Sequence, residues 1–144
     1  MSATINFYNQ DNPYTLKQKT IIKRWLIDSA KKEGFSIKDL NYIFCSDGYL
    51  LSINQQHLKH DYYTDIISFD YTEKQLISGD IFISIDRVKD NAKTYNQEFI
   101  KELYRVMIHG VLHFMGYKDK TTNEKQVMRA KEDAFVALLS KGLK

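Results

Sequence analysis

The sequence predicts an α/β (α+β) fold: a single domain over residues 1–144 with a mixed four-stranded sheet, about five helices and a metal site on a buried central helix. Three observations carry that expectation. Ile5 and Phe7 alternate in the first of four short apolar stretches that read as strands, and apolar residues recur at helical spacing between them, in the order β-α-β-α-β-β-α-α-α. The link between the third and fourth strands has the length of a hairpin loop, so that pair runs antiparallel and the sheet is mixed. One late helix is apolar on most faces, as a helix at the centre of a packed structure is.

The totals agree with one globular unit. A chain of 144 residues lies near the commonest domain size. Its 43% hydrophobic content, with 10 Tyr and 8 Phe, supplies a packed core and argues against a disordered tract. Net charge is +3, from 21 basic and 18 acidic side chains, which permits an RNA partner but excludes a uniformly basic nucleic-acid coat. Cys45 is the only cysteine, so no intramolecular disulfide forms, and its setting in Tyr42-Ile43-Phe44-Cys45 marks it as a small buried hydrophobe. No basic-then-apolar leader is visible and no stretch reaches the ~18 apolar residues of a membrane span, so a soluble, cytoplasmic protein is expected.

The first strand is read from Ala3 to Tyr8, where Ile5 and Phe7 alternate, and Asn9 to Pro13 is turn chemistry. Thr15 with Gln18 resembles a capping box, and Leu16, Ile21, Ile22, Trp25, Leu26 and Ala30 follow at helical spacing until Gly34; a helix over residues 15–33 is expected, with Trp25 in the core. The second strand is read over Asp39–Ser46, with Asp47-Gly48 as its exit turn, and a short helix over Tyr49–Leu58. Strands follow at Thr64–Tyr71 and Gly79–Ile85. Asp86 is the expected cap of a helix that buries Val88 and Ala92, and the apolar central helix begins at Asn96 or Gln97. The last helix opens on Thr121 with Glu124 three residues later and ends near Gly142; its mixed charges, Lys125, Arg129, Lys131, Glu132 and Asp133, read as a solvated face.

The chemistry is concentrated in Met107 to Asp119. His109 and His113 are four residues apart within the apolar helix, so both imidazoles leave one face a turn apart. Gly116, three residues on, is placed to end the helix in the left-handed conformation, and Asp119 follows after three more. This H-x3-H-x2-G-x2-D spacing is that of the metzincin zinc site with Asp in the third place. Three such ligands suit Zn2+, one ion per chain, with a fourth position open to water. The zincin general base is missing, because Gly110 stands where H-E-x-x-H has Glu. His57 and His60, three apart with no further ligand beside them, read as solvent-facing side chains.

His109-Gly110-Val111-Leu112-His113-Phe114-Met115-Gly116-Tyr117, with Thr64-Asp65-Ile66-Ile67-Ser68-Phe69 and Gly79-Asp80-Ile81-Phe82-Ile83-Ser84, resembles the YbeY family of bacterial endoribonucleases in the same order through about half the chain. The resemblance implies a metal-dependent endoribonuclease specific for single-stranded RNA, acting in maturation of the 3′ end of small-subunit rRNA and in ribosome quality control, with the ribosomal small subunit as partner and zinc as the usual ion. His109 and His113 match the first two family ligands. The third is usually a His after Gly-Tyr-Asp, where this chain has Gly116-Tyr117-Lys118 and then Asp119. That swap adds a negative charge around the ion and points toward a harder divalent metal such as Mn2+. A family Tyr-Arg pair before Thr-Asp corresponds to His57 and Leu58, and leucine cannot stabilise a phosphorane. Lys59 or His60 is the expected substitute for that charge.

On this reading the ion either activates water or polarises the phosphate for attack by the RNA 2′-OH. Thr64, Asp65, Ser68 and Lys118 are the expected substrate-binding residues, with Lys120 and exposed tyrosines nearby for phosphates and bases. Two other functions fit the same residues: a metal-dependent hydrolase of a peptide or small ester, against which Gly110 counts, and a non-catalytic ribosome-associated factor with a structural metal.

Overall fold

Side-chain alternation sets the sheet. In the computed structural model, which describes residues 3–57 and 64–142, β1 (Thr4–Asn9) runs parallel to β2 (Ser36–Cys45) and β2 parallel to β4 (Leu76–Ser84). β3 (Ile66–Asp70) pairs antiparallel with β4, so the order is β1-β2-β4-β3 and the sheet is mixed as expected. Leu40, Tyr42 and Phe44 of β2 and Ile77, Ile81 and Ile83 of β4 are fully buried on one face. Ile37 lies an odd number of positions from Leu40, yet it is buried with them because the register shifts between Ile37 and Asp39.

α1 (Lys19–Lys32) and α4 (Phe99–Phe114) pack on that face, and α5 (Thr122–Gly142) packs against both. Trp25 Nε1 donates to the Phe135 carbonyl at 2.7 Å, tying α1 to α5, and the Tyr42 hydroxyl donates to the Met107 carbonyl at 2.9 Å, tying the sheet to α4. On the other face α2 (Asp47–His57) sets Leu50 and Ile53 against Cys45 and Ile67. α3 (Ile85–Thr94) leaves β4 directly and packs against α4.

α4 is the expected central helix: Leu103, Met107, Ile108, Val111 and Leu112 have no solvent exposure. Each such side chain contributes about 1.5–3 kcal/mol of burial, which fixes the helix that carries the two histidines. Gly110 faces the sheet, where an added Cβ would lie 2.7 Å from Ile81 Cδ1 and 3.2 Å from Ile66 Cδ1.

Several boundaries differ from the sequence reading. α1 begins at Lys19, not Thr15, because Gln18 is left-handed at φ 57° and a right-handed helix cannot pass through it. Asn12 holds the preceding segment in a loop, accepting from the Tyr14 amide at 2.9 Å and donating to the Phe44 carbonyl at 2.8 Å. β2 starts at Ser36, and Asp47-Gly48 opens α2 instead of forming an exit turn. Ser84, not Asp86, caps α3 by accepting from the Arg87 amide at 3.0 Å. α4 starts at Phe99 because Asn96 is left-handed at φ 54° and Glu98 is extended. The capping box of α5 forms as expected, with Glu124 N donating to Thr121 Oγ1 at 3.1 Å and Thr121 N to Glu124 Oε1 at 2.9 Å.

Candidate metal centre

α4 ends as its sequence requires. Gly116 adopts φ +99°, and the Gly116 and Tyr117 amides donate to the carbonyls of His113 at 3.0 Å and Leu112 at 3.1 Å, reversing the chain. The returning segment brings Asp119 to the two imidazoles. His109 Nε2 and His113 Nε2 are 2.9 Å apart, and Asp119 Oδ2 is 3.2 Å from each. Donor atoms about 3.3 Å apart are what a tetrahedral ion with bonds of about 2.0–2.1 Å gathers. The three residues form a cluster that could hold a metal ion.

The outer nitrogens settle what the inner ones present. His113 Nδ1 lies 2.9 Å from the Tyr117 carbonyl, which only accepts, so Nδ1 carries the proton. His109 Nδ1 donates in the same way to Glu132 Oε2 at 2.5 Å. Each imidazole therefore turns Nε2 inward, toward the other ring and toward a carboxylate oxygen.

Glu132 is 2% exposed and also accepts from Arg105 Nη1 at 3.0 Å. Arg105 in turn donates from Nε to Glu102 Oε1 at 3.1 Å and pairs with the second Glu102 oxygen. Burial would raise the Glu132 pKa, but the charges and hydrogen bonds of His109 and Arg105 pull it below the usual carboxylate range. For His109 burial acts downward, and Glu132 overrides it to hold the imidazole above its ordinary value.

Thr64, Asp65 and Ser68 line the same cleft as His109, His113 and Asp119. Burial raises the Asp65 carboxyl, which accepts from Asn91 Nδ2 at 3.4 Å. Lys118 is exposed beside Asp119 and does not line the cleft. Lys59 and His60 lie outside the described residues, as does Leu58. His57 sets its ring edge-on to Phe69, with centroids 6.1 Å apart.

Sequence reasoning missed Glu132, Glu102 and Arg105. The charge pattern places Glu132 on a solvated face, yet the buried positions of α5 are Met128, Glu132, Phe135 and Leu139, a regular core stripe. A carboxylate inside that stripe was the available signal.

The chain is similar to known proteins over nearly its whole length. The sequence model described as endoribonuclease YbeY matches residues 4–140. A Cytophaga hutchinsonii protein named endoribonuclease YbeY is 60% identical over 136 residues, 94% of this chain and 95% of its own length. Proteins of the same name from Christiangramia forsetii and Flavobacterium johnsoniae are 47% and 48% identical, each over 93% of this chain and over 93% and 96% of their own lengths. A Thermotoga maritima protein solved in solution superposes with a TM-score of 0.70 at 27% identity, covering 97% of this chain and 91% of that one. Length, fold and identity together place this chain in the endoribonuclease YbeY family.

Proposed function

We propose that this protein is a metal-dependent endoribonuclease that cuts single-stranded RNA, with His109, His113 and Asp119 holding one Zn2+ or a similar divalent ion. The observation that carries the reading is the set of three inward-facing ligand atoms 2.9–3.2 Å apart, close to the spacing that a tetrahedral ion gathers. Bound there, the ion supplies Lewis acidity to a phosphate and lowers the pKa of a nucleophile.

The protein's own groups do the rest. Glu132 keeps His109 in the tautomer that ligates, and the Tyr117 carbonyl does so for His113. Asp65, lining the cleft and accepting from Asn91, helps to position the RNA strand. Thr64 and Ser68 bind the strand there, and Lys118 meets phosphates from outside. Lys59 or His60 supplies the charge that the family pattern places at Leu58. The substrate of this reading is small-subunit rRNA, matured at its 3′ end in the cytoplasm in company with the ribosomal small subunit.

The peptidase alternative meets a physical obstacle, since a Glu at position 110 would collide with Ile81 and Ile66. The test is metal analysis of the wild-type and His113→Ala proteins beside cleavage of unstructured RNA. The wild type should hold one ion and cut, and the variant should do neither. Full cleavage by a metal-free His113→Ala protein would overturn the reading.

A further inference from the structure

Lys101, Arg105, His109 and His113 follow one another at four-residue intervals along α4. One stripe of the helix therefore carries two cations and then the two imidazoles of the metal centre. α5 packs beside α4, and a groove lined by Tyr95, Lys101, Arg105, Arg129 and Lys141 opens there. Arg105 lines this groove and the metal cleft alike, so the two meet at that residue.

The charges of the groove favour a polyanion. Arg105 is spent on the buried Glu102 and Glu132, which leaves Lys101, Arg129 and Lys141 of the groove lining against Asp133. Arg129 has 55% of its side chain in solvent and its nearest carboxylate contact, to Glu132, is long at 3.9 Å. Tyr95 is 60% exposed, a large aromatic side chain open to solvent. Cations along a groove with an aromatic platform are the elements of single-strand binding without sequence readout. The groove also has length, since α5 rises about 13 Å between Glu132 at the metal centre and Lys141 at about 1.5 Å per residue.

We propose that this groove is the track for the single-stranded RNA that extends beyond the cleavage site, with Lys101, Arg129 and Lys141 neutralising phosphates and Tyr95 stacking a base. The proposal rests on the reading that the cleft cuts RNA, and it adds a second region of substrate contact on the α4–α5 side. An acidic protein would also be drawn to these cations, but the meeting of groove and cleft at Arg105 favours the substrate strand itself.

The test is binding of cleavage-resistant 2′-O-methyl oligouridylates of about 4 and about 12 nucleotides, lengths that bracket a single-strand site, to the metal-loaded protein by fluorescence anisotropy. The wild type should bind the longer strand at least about tenfold more tightly, because only that strand engages both regions. In the triple variant Lys101→Gln/Arg129→Gln/Lys141→Gln that advantage should fall below about twofold, and the slope of log Kd against log salt should drop by about 2, at roughly 0.7 per lost phosphate contact. Tyr95→Ala alone should weaken the long strand and leave the short one unchanged. Zinc content and circular dichroism report that the variants fold. If the triple variant keeps the full length advantage and salt slope, the track is overturned while the cleft stands. If the wild type binds neither length, the RNA reading and the track fall together.

Discussion

Glu132 Oε2 lies 2.5 Å from His109 Nδ1 although the two residues come from different helices, α5 and α4. This contact fixes the His109 ring and its tautomer, and carboxylates that do so raise the basicity of a metal-binding imidazole. Glu132→Gln should therefore lower zinc affinity by about 10- to 100-fold with the fold intact, read by competition with a chelator of known affinity. Glu132→Ala should lose the same affinity and also unfold at lower denaturant, since Arg105 keeps only Glu102. Wild-type affinity in both variants would show that something other than Glu132 orients His109.

Asp119 is the one member of the trio on a loop, and its Oδ2 stands 3.2 Å from both imidazole nitrogens. Asp119→Ala removes that oxygen and should abolish cleavage while leaving circular dichroism unchanged. Asp119→His should retain zinc and shift preference away from Mn2+, because an imidazole is softer and uncharged where the carboxylate is hard and anionic. Metal selectivity measured by competition between Zn2+ and Mn2+ in the two proteins decides it.

What the sequence revealed of this site and what it hid differ in their physics. His109, His113, Gly116 and Asp119 are joined by local geometry, one helical turn and one glycine reversal, so their spacing alone predicts that they meet. Thr64, Asp65 and Ser68 reached the cleft through family resemblance rather than spacing, and the hairpin of β3 with β4 puts them there. Arg105 lies one turn before His109 on α4, but Glu132 reaches both by packing of α5 on α4, and local spacing marks it only as a carboxylate in a buried stripe. The antiparallel pairing of β3 with β4 followed from loop length, whereas the start of α1 failed because the left-handed Gln18 overrode a capping signature at Thr15.

Gly110 stands where a peptidase would carry its base, and the space around it explains why no side chain is there. An added Cβ would lie 2.7 Å from Ile81 Cδ1 and 3.2 Å from Ile66 Cδ1, both on the sheet under α4. Gly110→Ala should cost about 1–3 kcal/mol, an overpacking penalty partly offset by better helix propensity. Gly110→Glu should fail to fold stably and show no peptidase activity. Urea unfolding of the alanine variant and a casein assay on the glutamate variant are the measurements. An alanine variant as stable as wild type would show that α4 can shift away from the sheet.

Glu33 links three elements behind the metal loop. It pairs with Lys131 Nζ of α5 at 2.9 Å and accepts a hydrogen bond from the Tyr117 hydroxyl, while the Tyr117 carbonyl holds His113. Burial raises the Glu33 carboxyl, but the Tyr117 and Lys131 hydrogen bonds outweigh it and hold the pKa below the ordinary 4.5. A carboxylate depressed on folding stabilises the protein above its unfolded pKa, and that contribution fades as pH falls through the folded value. Wild type should therefore exceed Glu33→Gln in stability by about 0.2–1 kcal/mol near neutral pH, the range of a partly exposed pair. The gap should narrow below about pH 4.5 and close under still more acid conditions. Urea midpoints of the two proteins across that range test it, and a gap independent of pH would show that Glu33 acts through packing and not through its charge.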